Sequence, residues 1–426
     1  MKKIMMAIAP LLILTSCANQ AGLSKLNKYL LNKPNKAFNT AQTVTLNQGY
    51  IDSLSDFSLD FIQQVNKDSP ENPIFSPMSI ATCFSMTYDA AEGKTKEELG
   101  KLLHYDEDKF KHLDEIKNAL LRSAIDDSKN KTYLNISQSF WIDTMSSLDE
   151  EYLKTLQDYY FAEAYQGNLS NMYNEVADWI NAKTKKYLNV KGEDFKDMLQ
   201  GALYALLNTV YLKASWYYDF EEKNNTTEQF ANMDSSTSKA IYMNNNEDGY
   251  YYASKDYKIA ALPFKDDLEF RMLLPEKDTN YAEVLNDRTA LNKLLTVSLD
   301  KVSADENGGV LRDKISYKLP QFKVRSSYNL CKMFTDMGIQ TPFKSGEANF
   351  PRLSSGYISS AKHEAGFEAN NQGVEGAAYT IIVISKSAMP EPEPIKFHCD
   401  RPFAYAVTTK EGIPVFMGEI TNIPNA

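Results

Sequence analysis

Four consecutive β-branched aliphatic residues, Ile381, Ile382, Val383 and Ile384, stand between a stretch of small residues and an alternation of proline with glutamate. Side chains of this kind favour the inside of a sheet. Pro390, Pro392 and Pro394 cannot continue a central strand, because proline lacks the amide hydrogen and has a fixed φ. The stretch GVEGAAYTIIVISKSAMPEPEP, from Gly373 to Pro394, therefore reads as a strand that has not found its sheet.

The rest of the chain has the means to build one. At 426 residues and 43% hydrophobic, it can bury a large core. A formal charge of -10, with the basic residues scattered, leaves no electrostatic footprint for nucleic acid. The charge instead favours solubility.

The N-terminus, MKKIMMAIAPLLILTSC, carries two lysines, an apolar stretch too short to span a bilayer comfortably, and small residues before Cys17. This is the anatomy of a cleaved export signal, residues 1–16. Leu14-Thr15-Ser16-Cys17 resembles the bacterial lipoprotein signal. The resemblance implies that Cys17 is lipidated and becomes the first mature residue. The folded part is then exported and tethered to a bacterial membrane, the outer membrane on its periplasmic or surface side; the alternative is an incidental cysteine in an ordinary signal peptide. Residues 17–50 are rich in Asn, Lys, Gln and Thr, with a weak stripe of Leu23, Leu26 and Leu30, and read as a spacer. Cys83, Cys331 and Cys399 lie in apolar or aromatic surroundings, and an odd number cannot pair completely, so buried free thiols are expected.

From Ile51 the pattern tightens. Ile51, Leu54, Phe57, Phe61, Ile62 and Val65 fall at helical spacing, with Asp52 or Ser53 available as a cap. Beyond this helix, strands and helices mix without the alternation of a doubly wound sheet, which implies an α+β architecture. Leu134, Ile136, Phe140 and Ile142 share one face of a period-two pattern, as do Leu268, Phe270, Met272 and Leu274. YALLNTVYLKASW, Tyr204 to Trp216, is nearly continuous in apolar and aromatic residues, as a strand buried on both faces would be. Phe403, Tyr405 and Val407, then Val415 and Met417, flank Lys410-Glu411-Gly412 and predict an antiparallel hairpin. One large mixed domain, residues 51–426, is the simplest organisation.

Catalytic signatures are missing. His104, His112, His363 and His398 lack metal-ligand spacing; His363-Glu364 begins like a zincin helix, but the second histidine is absent. No nucleophile elbow, Walker loop or dinucleotide fingerprint occurs. No cofactor or metal is expected, and no enzymatic activity.

Several segments together resemble the serpin family: NPIFSPMSI at Asn72 to Ile80, running on through AAEGKTKEELGKLL; ALYALLNTVYLKASW at Ala202 to Trp216; MLLPE at Met272 to Glu276; GVEGAA at Gly373 to Ala378; and DRPFAYAV followed by GIPVFMGEITNI. They occur in the family's order, from about Ser53 to Pro424. The resemblance implies the serpin fold, a large single domain of three β-sheets with about eight to nine helices. An exposed reactive loop would run from about 371 to 394. It further implies an irreversible suicide-substrate inhibitor of serine and also cysteine proteases, acting as a monomer. The alternative is a non-inhibitory serpin-fold carrier lipoprotein whose loop is only a substrate.

Composition suits a loop that inserts as a strand. If Val374 points inward, so do Gly376, Ala378, Thr380, Ile382 and Ile384, and that face carries no charge. Glu375 falls on the opposite face with Ala377, Tyr379, Ile381, Val383 and Ser385. Gly373, Gly376, Ala377 and Ala378 read as a hinge, or as a flexible loop base. Asn371 and Val374 depart from the family, where many inhibitory members carry Glu and Thr or Ser. Family spacing places the scissile residue at Ser387, before Ala388; Lys386-Ser387 suits a trypsin-like enzyme, whose pocket carboxylate pairs with a cation. Val383, Ile384, Ser387 and Met389 would serve elastase-like, subtilisin-like or papain-like proteases. Ser76, Ser79, Asn208 and His363 match the family's polar cluster beneath the opening of the main sheet, and by resemblance form a hydrogen-bonded gate. Trp216 matches the aromatic residue at the top of that sheet, a position that simple core packing would also explain.

Overall fold

The structure, a computed structural model, describes residues 25–32, 45–68, 70–127, 129–147, 149–354, 356–374 and 393–424. Three sheets and ten α-helices occur among them, one more helix than the upper expectation. The first long helix, Gln48–Asn66, buries Ile51, Leu54, Phe57, Phe61, Ile62 and Val65, the side its periodicity marks. It begins ahead of Ile51, because the cap is neither Asp52 nor Ser53: the Asn47 side chain accepts the Gly49 amide at 2.8 Å.

The largest sheet has ten strands. It contains the hairpin of Phe403–Thr409 with Pro414–Ile420, in which every residue is buried, and Phe403–Thr409 pairs on its other side with Leu268–Pro275. Gly418 lets this layer close: a Cβ there would lie 2.5 Å from Pro73 O and 2.8 Å from the Tyr405 hydroxyl.

A second sheet contains Leu30–Asn32, Glu163–Gly167, Thr132–Asp143 and Ile125–Asp127, with Tyr204–Lys213 paired antiparallel to Thr132–Asp143. Alternation sets the two faces of Thr132–Asp143. Leu134, Ile136, Phe140 and Ile142 face the main core, whereas Trp141 joins a second core under the helix Tyr173–Lys183.

The third sheet is short: Phe322–Asn329, Lys362–Asn370 and Gly373–Val374. Val374 links it to the second sheet. Its amide donates to Ala214 O at 2.8 Å and its carbonyl accepts from Ala214 N at 3.1 Å, while on its other side it pairs with Ala369. Both pairings are antiparallel, so the Asn208 strand (Tyr204–Lys213) and the His363 strand (Lys362–Asn370) run parallel to each other. Among the described residues no ladder joins them below Val374.

Two expectations need correction here. Tyr204 to Asn208 is half-buried rather than buried on both faces, because the place beside it that a neighbouring strand would fill is a cavity. Part of the supposed spacer is packed: Leu30–Asn32 is a strand of the second sheet, and Leu26 is 1% exposed in the second core. Of the three thiols, Cys399 is fully buried while Cys83 and Cys331 are half-buried, and all are free.

Candidate functional site

The gap between the Asn208 and His363 strands holds a cavity of about 460 Å³. It passes through the plane of the sheet. Ser79, Cys83 and Phe84 of the helix Pro77–Ala90 line its inner side, and Val176 and Ile180 of the helix Tyr173–Lys183 line its outer side. A smaller hollow, bounded by Val210, Leu212, Ala365, Phe367 and Val374, continues the line towards the bridge. Cys83 donates weakly to Leu206 O at 3.9 Å, and burial pushes its thiol up to about 12, so it stays protonated and unreactive.

Ser76 and Ser79 sit at the start of the Pro77–Ala90 helix. Ser76 is its N-cap, and its Oγ accepts from Ser79 N at 3.3 Å while donating to Val415 O at 2.7 Å. The Ser76 amide donates to Nε2 of His363 at 3.0 Å. The ring is therefore neutral, with its proton on Nδ1, and burial lowers its pKa to about 4. Ser79 Oγ donates to Asn208 Oδ1 at 2.5 Å. Hydrogen bonds thus run from one edge of the gap to the other through the helix cap. Among the described residues, Asn208 Nδ2 is buried without a partner.

Above the cavity, the chain turns at Asn371-Gln372 and begins a strand. Gly373 has φ +126°, and a Cβ there would sit 2.0 Å from Ala214 O, so only glycine lets the turn approach the Asn208 strand. Val374 follows, 2% exposed. Asn371, where the family often has Glu, is held by its amide. Its Nδ2 donates to Phe220 O at 3.0 Å and to Asn225 Oδ1 at 2.9 Å, and its Oδ1 accepts from Asn225 Nδ2 at 2.9 Å and from Gln321 Nε2 at 2.5 Å. Trp216 caps this end, donating from Nε1 to Asn370 O at 2.8 Å and stacking on Phe264 at 4.8 Å.

The structure thus brings Ser76, Ser79, Asn208 and His363 together at the cavity, and Trp216, Gly373 and Val374 at its top. Glu375, Gly376, Ala377, Ala378, Val383, Ile384, Lys386, Ser387, Ala388, Met389 and Cys17 lie outside the described residues. Sequence reasoning missed Asn225 and Gln321, whose pattern carries no signal of a partner far along the chain. It also missed Cys83 and Phe84 as cavity lining; their place on the helix that begins at Ser76 was the available clue.

Among the described residues, then, two parallel strands are bridged at one end by Val374 and separated below it by a cavity, in a mixed fold of three sheets. The model of the family Serpin (serine protease inhibitor) matches residues 52–423, and the chain belongs to that family. An uncharacterized serpin-like protein of Thermococcus kodakarensis is 26% identical over 386 residues, 87% of this chain and 85% of that one. Tengpin, a thermophilic serpin solved in the native state, is similar with a TM-score of 0.74 at 20% identity, covering 90% of this chain and 97% of tengpin. Human thyroxine-binding globulin complexed with thyroxine has the same fold, with a TM-score of 0.74 at 18% identity over 90% of this chain and 100% of that one. The fold is the serpin fold. Serpins are generally protease inhibitors rather than enzymes, and proteases are their usual targets.

Proposed function

We propose that this serpin is an irreversible suicide-substrate inhibitor of serine proteases, and of cysteine proteases that accept its loop. The observation that carries the reading is Val374, bonded on both sides between parallel strands at the head of a gap that no described strand fills. Register follows by counting. Antiparallel continuation would bring Gly376 between Leu212 and Phe367, Ala378 between Val210 and Ala365, and Thr380 between Asn208 and His363. Small residues would meet the crowded part of the gap. A hydroxyl would meet the polar cluster, where Asn208 Nδ2 lacks a partner among the described residues.

A protease serine or cysteine attacks the loop carbonyl, expels the amine and forms an acyl-enzyme. Insertion then drags that bond away. About fifteen residues at ~3.3 Å each span ~50 Å, and the pull distorts the oxyanion hole so that hydrolysis stalls. Each Ile or Val buried contributes roughly 1.5–3 kcal/mol to the drive. In this reading Ser76, Ser79, Asn208 and His363 act as the gate that insertion must open, and Trp216 marks where it starts. The bond attacked is Lys386-Ser387 for trypsin-like enzymes, with neighbouring bonds for elastase-like, subtilisin-like or papain-like ones. We also propose export and lipidation at Cys17, testable by fatty-acid labelling of the wild type against Cys17→Ala.

Incubation of the mature domain with a protease panel tests the inhibitor. An adduct that survives denaturing electrophoresis is expected, releasing a C-terminal peptide that begins at Ser387 with trypsin. A loop that is cut without any adduct would replace this reading with the non-inhibitory carrier.

A further inference from the structure

Apolar side chains are exposed together at the end of the second sheet that lies away from Val374. From Leu203 to Ala214, where Val374 is bridged, the strand advances ~36 Å at ~3.3 Å per residue. The turn that follows Thr132–Asp143 packs on the Leu203 end: the Asp143 amide donates to Leu203 O at 2.9 Å, and Ser146 Oγ donates to the same carbonyl at 3.4 Å. Between these two contacts stands Met145, 83% exposed, beside Leu203 at 37%. The Tyr204 hydroxyl donates to Ser147 O at 2.7 Å and lies 2.9 Å from Ser354 Oγ, which ties in the segment that carries Tyr357, 46% exposed. Single exposed apolar residues are ordinary, whereas a cluster with a polar rim marks a contact surface.

The N-terminal chain meets the domain at the same end. Leu30–Asn32 runs antiparallel to Glu163–Gly167, so the residues before Leu30 lie towards Gly167. The Gln166 amide donates to Tyr29 O at 2.8 Å, and across that strand the Thr144 amide donates to Gly167 O at 3.2 Å. One strand's width therefore separates Tyr29 from the turn that carries Met145. From Cys17 to Lys25 the chain can span at most ~29 Å, at ~3.6 Å per residue. A domain of about 400 residues has a radius of gyration of roughly 21 Å, so such a tether cannot reach round to the Val374 end. A lipid on Cys17 would hold the Met145 end against a bilayer, and at the high effective concentration of a short tether even a weak patch engages. Glu150 and Glu151 are exposed close to Met145, so the contact is apolar rather than an attraction between charges. We infer that Met145, Leu203 and Tyr357 form a docking surface for a zwitterionic lipid surface, which leaves the Val374 end pointing away from the bilayer. The setting rests on the anchor proposed above at Cys17; the test supplies an anchor of its own, so the two can fail separately.

The chain from Cys17 onward is coupled through the Cys17 thiol to a maleimide phospholipid in phosphatidylcholine vesicles, with the site of coupling confirmed by peptide mass. Hydroxyl-radical labelling then compares it with the uncoupled chain in buffer. Labelling of Met145 and Tyr357 should slow at least fivefold on the vesicles, while Tyr217, beside Trp216 at the other end, keeps its rate. Met145→Glu should return Tyr357 on vesicles to within twofold of its rate in buffer. Unprotected Met145 on the vesicles would overturn the docking surface, and so would equal protection of Tyr217, which would mean that no one face is presented. Met145 already protected in buffer would also overturn it: at every protein concentration the chain itself covers the patch, and only at high concentration a second copy does. Absence of fatty-acid labelling in the wild type would remove the natural anchor and leave the vesicle result standing.

Discussion

The C-terminal hairpin and the Asn208 strand are built from similar residues and end in different states. Phe403–Thr409 has a partner on each side and no exposed residue; Tyr204–Lys213 has a full partner on one side and, on the other, among the described residues, only the bridge just past its end at Ala214. Apolar composition therefore reports that a strand will be buried, not when. In the hairpin all of the burial energy is already realised. Beside Asn208, in the insertion reading proposed above, part of it is deferred and would be available to do work on a protease.

The largest effect expected from this contrast is in the hairpin. Tyr405 is fully buried, with ring centroids of Phe270, Phe322 and Phe367 5.4 to 5.6 Å away. Tyr405→Ala should cost about 3–5 kcal/mol in urea unfolding, before and after loop cleavage alike. Leu206→Ala, at the cavity, should cost below about 1 kcal/mol in the uncleaved protein and about 2–5 kcal/mol after cleavage, when a strand would cover it. Equal costs for Leu206→Ala in the two forms would erase the distinction between the strands.

A second contrast is electrostatic. Burial lowers His363, at the gap, to about 4, and raises Glu419, in the closed sheet, to about 7, with Asn66 Nδ2 donating to Glu419 at 2.9 Å and pulling it back in part. The signs oppose. The unfolded chain protonates His363 near pH 6.5 and the native chain does not until about pH 4, so this group removes up to about 3 kcal/mol as pH falls through that window. Native Glu419 keeps its proton to about pH 7 while the unfolded chain releases it near 4.3, so this group removes a similar amount, about 3 kcal/mol, as pH rises. Between about pH 4.5 and 6.5 the two nearly cancel. Relative to wild type, His363→Gln should make stability fall more steeply with rising pH in that range, and Glu419→Gln should make it rise. Parallel profiles for all three proteins would contradict both assignments.

Much of the fold was legible because it depends on local periodicity. The helix that buries Phe57 and Phe61, the Leu268–Pro275 strand and the C-terminal hairpin all follow from spacing. What periodicity does not carry is the identity of a neighbour. The run from Tyr204 to Asn208 reads the same whether a strand or a cavity lies beside it, and Leu26 in a polar-rich stretch reads as spacer although it is buried in the second core. The polar cluster was reached through resemblance, since single Ser, Asn and His residues far apart in the chain announce no shared site. Its wiring through the Ser76 cap was not foreseeable from those residue types.

Asn371 gives the smallest of the expected effects. Its amide both donates to Phe220 O and exchanges two bonds with Asn225, which a carboxylate cannot do. Asn371→Asp should cost about 1–3 kcal/mol above pH 5, by thermal or urea unfolding. An unchanged stability would mean that the anchor of the turn before Gly373 lies elsewhere.

The deferred burial is measured most directly by melting the mature domain before and after one clean cut between Ser385 and Met389. If the freed strand enters the gap that Val374 begins, gains of roughly 10 kcal/mol or more should raise the melting temperature by tens of degrees. A cleaved protein that melts where the intact one does would contradict insertion, and with it the inhibitory mechanism.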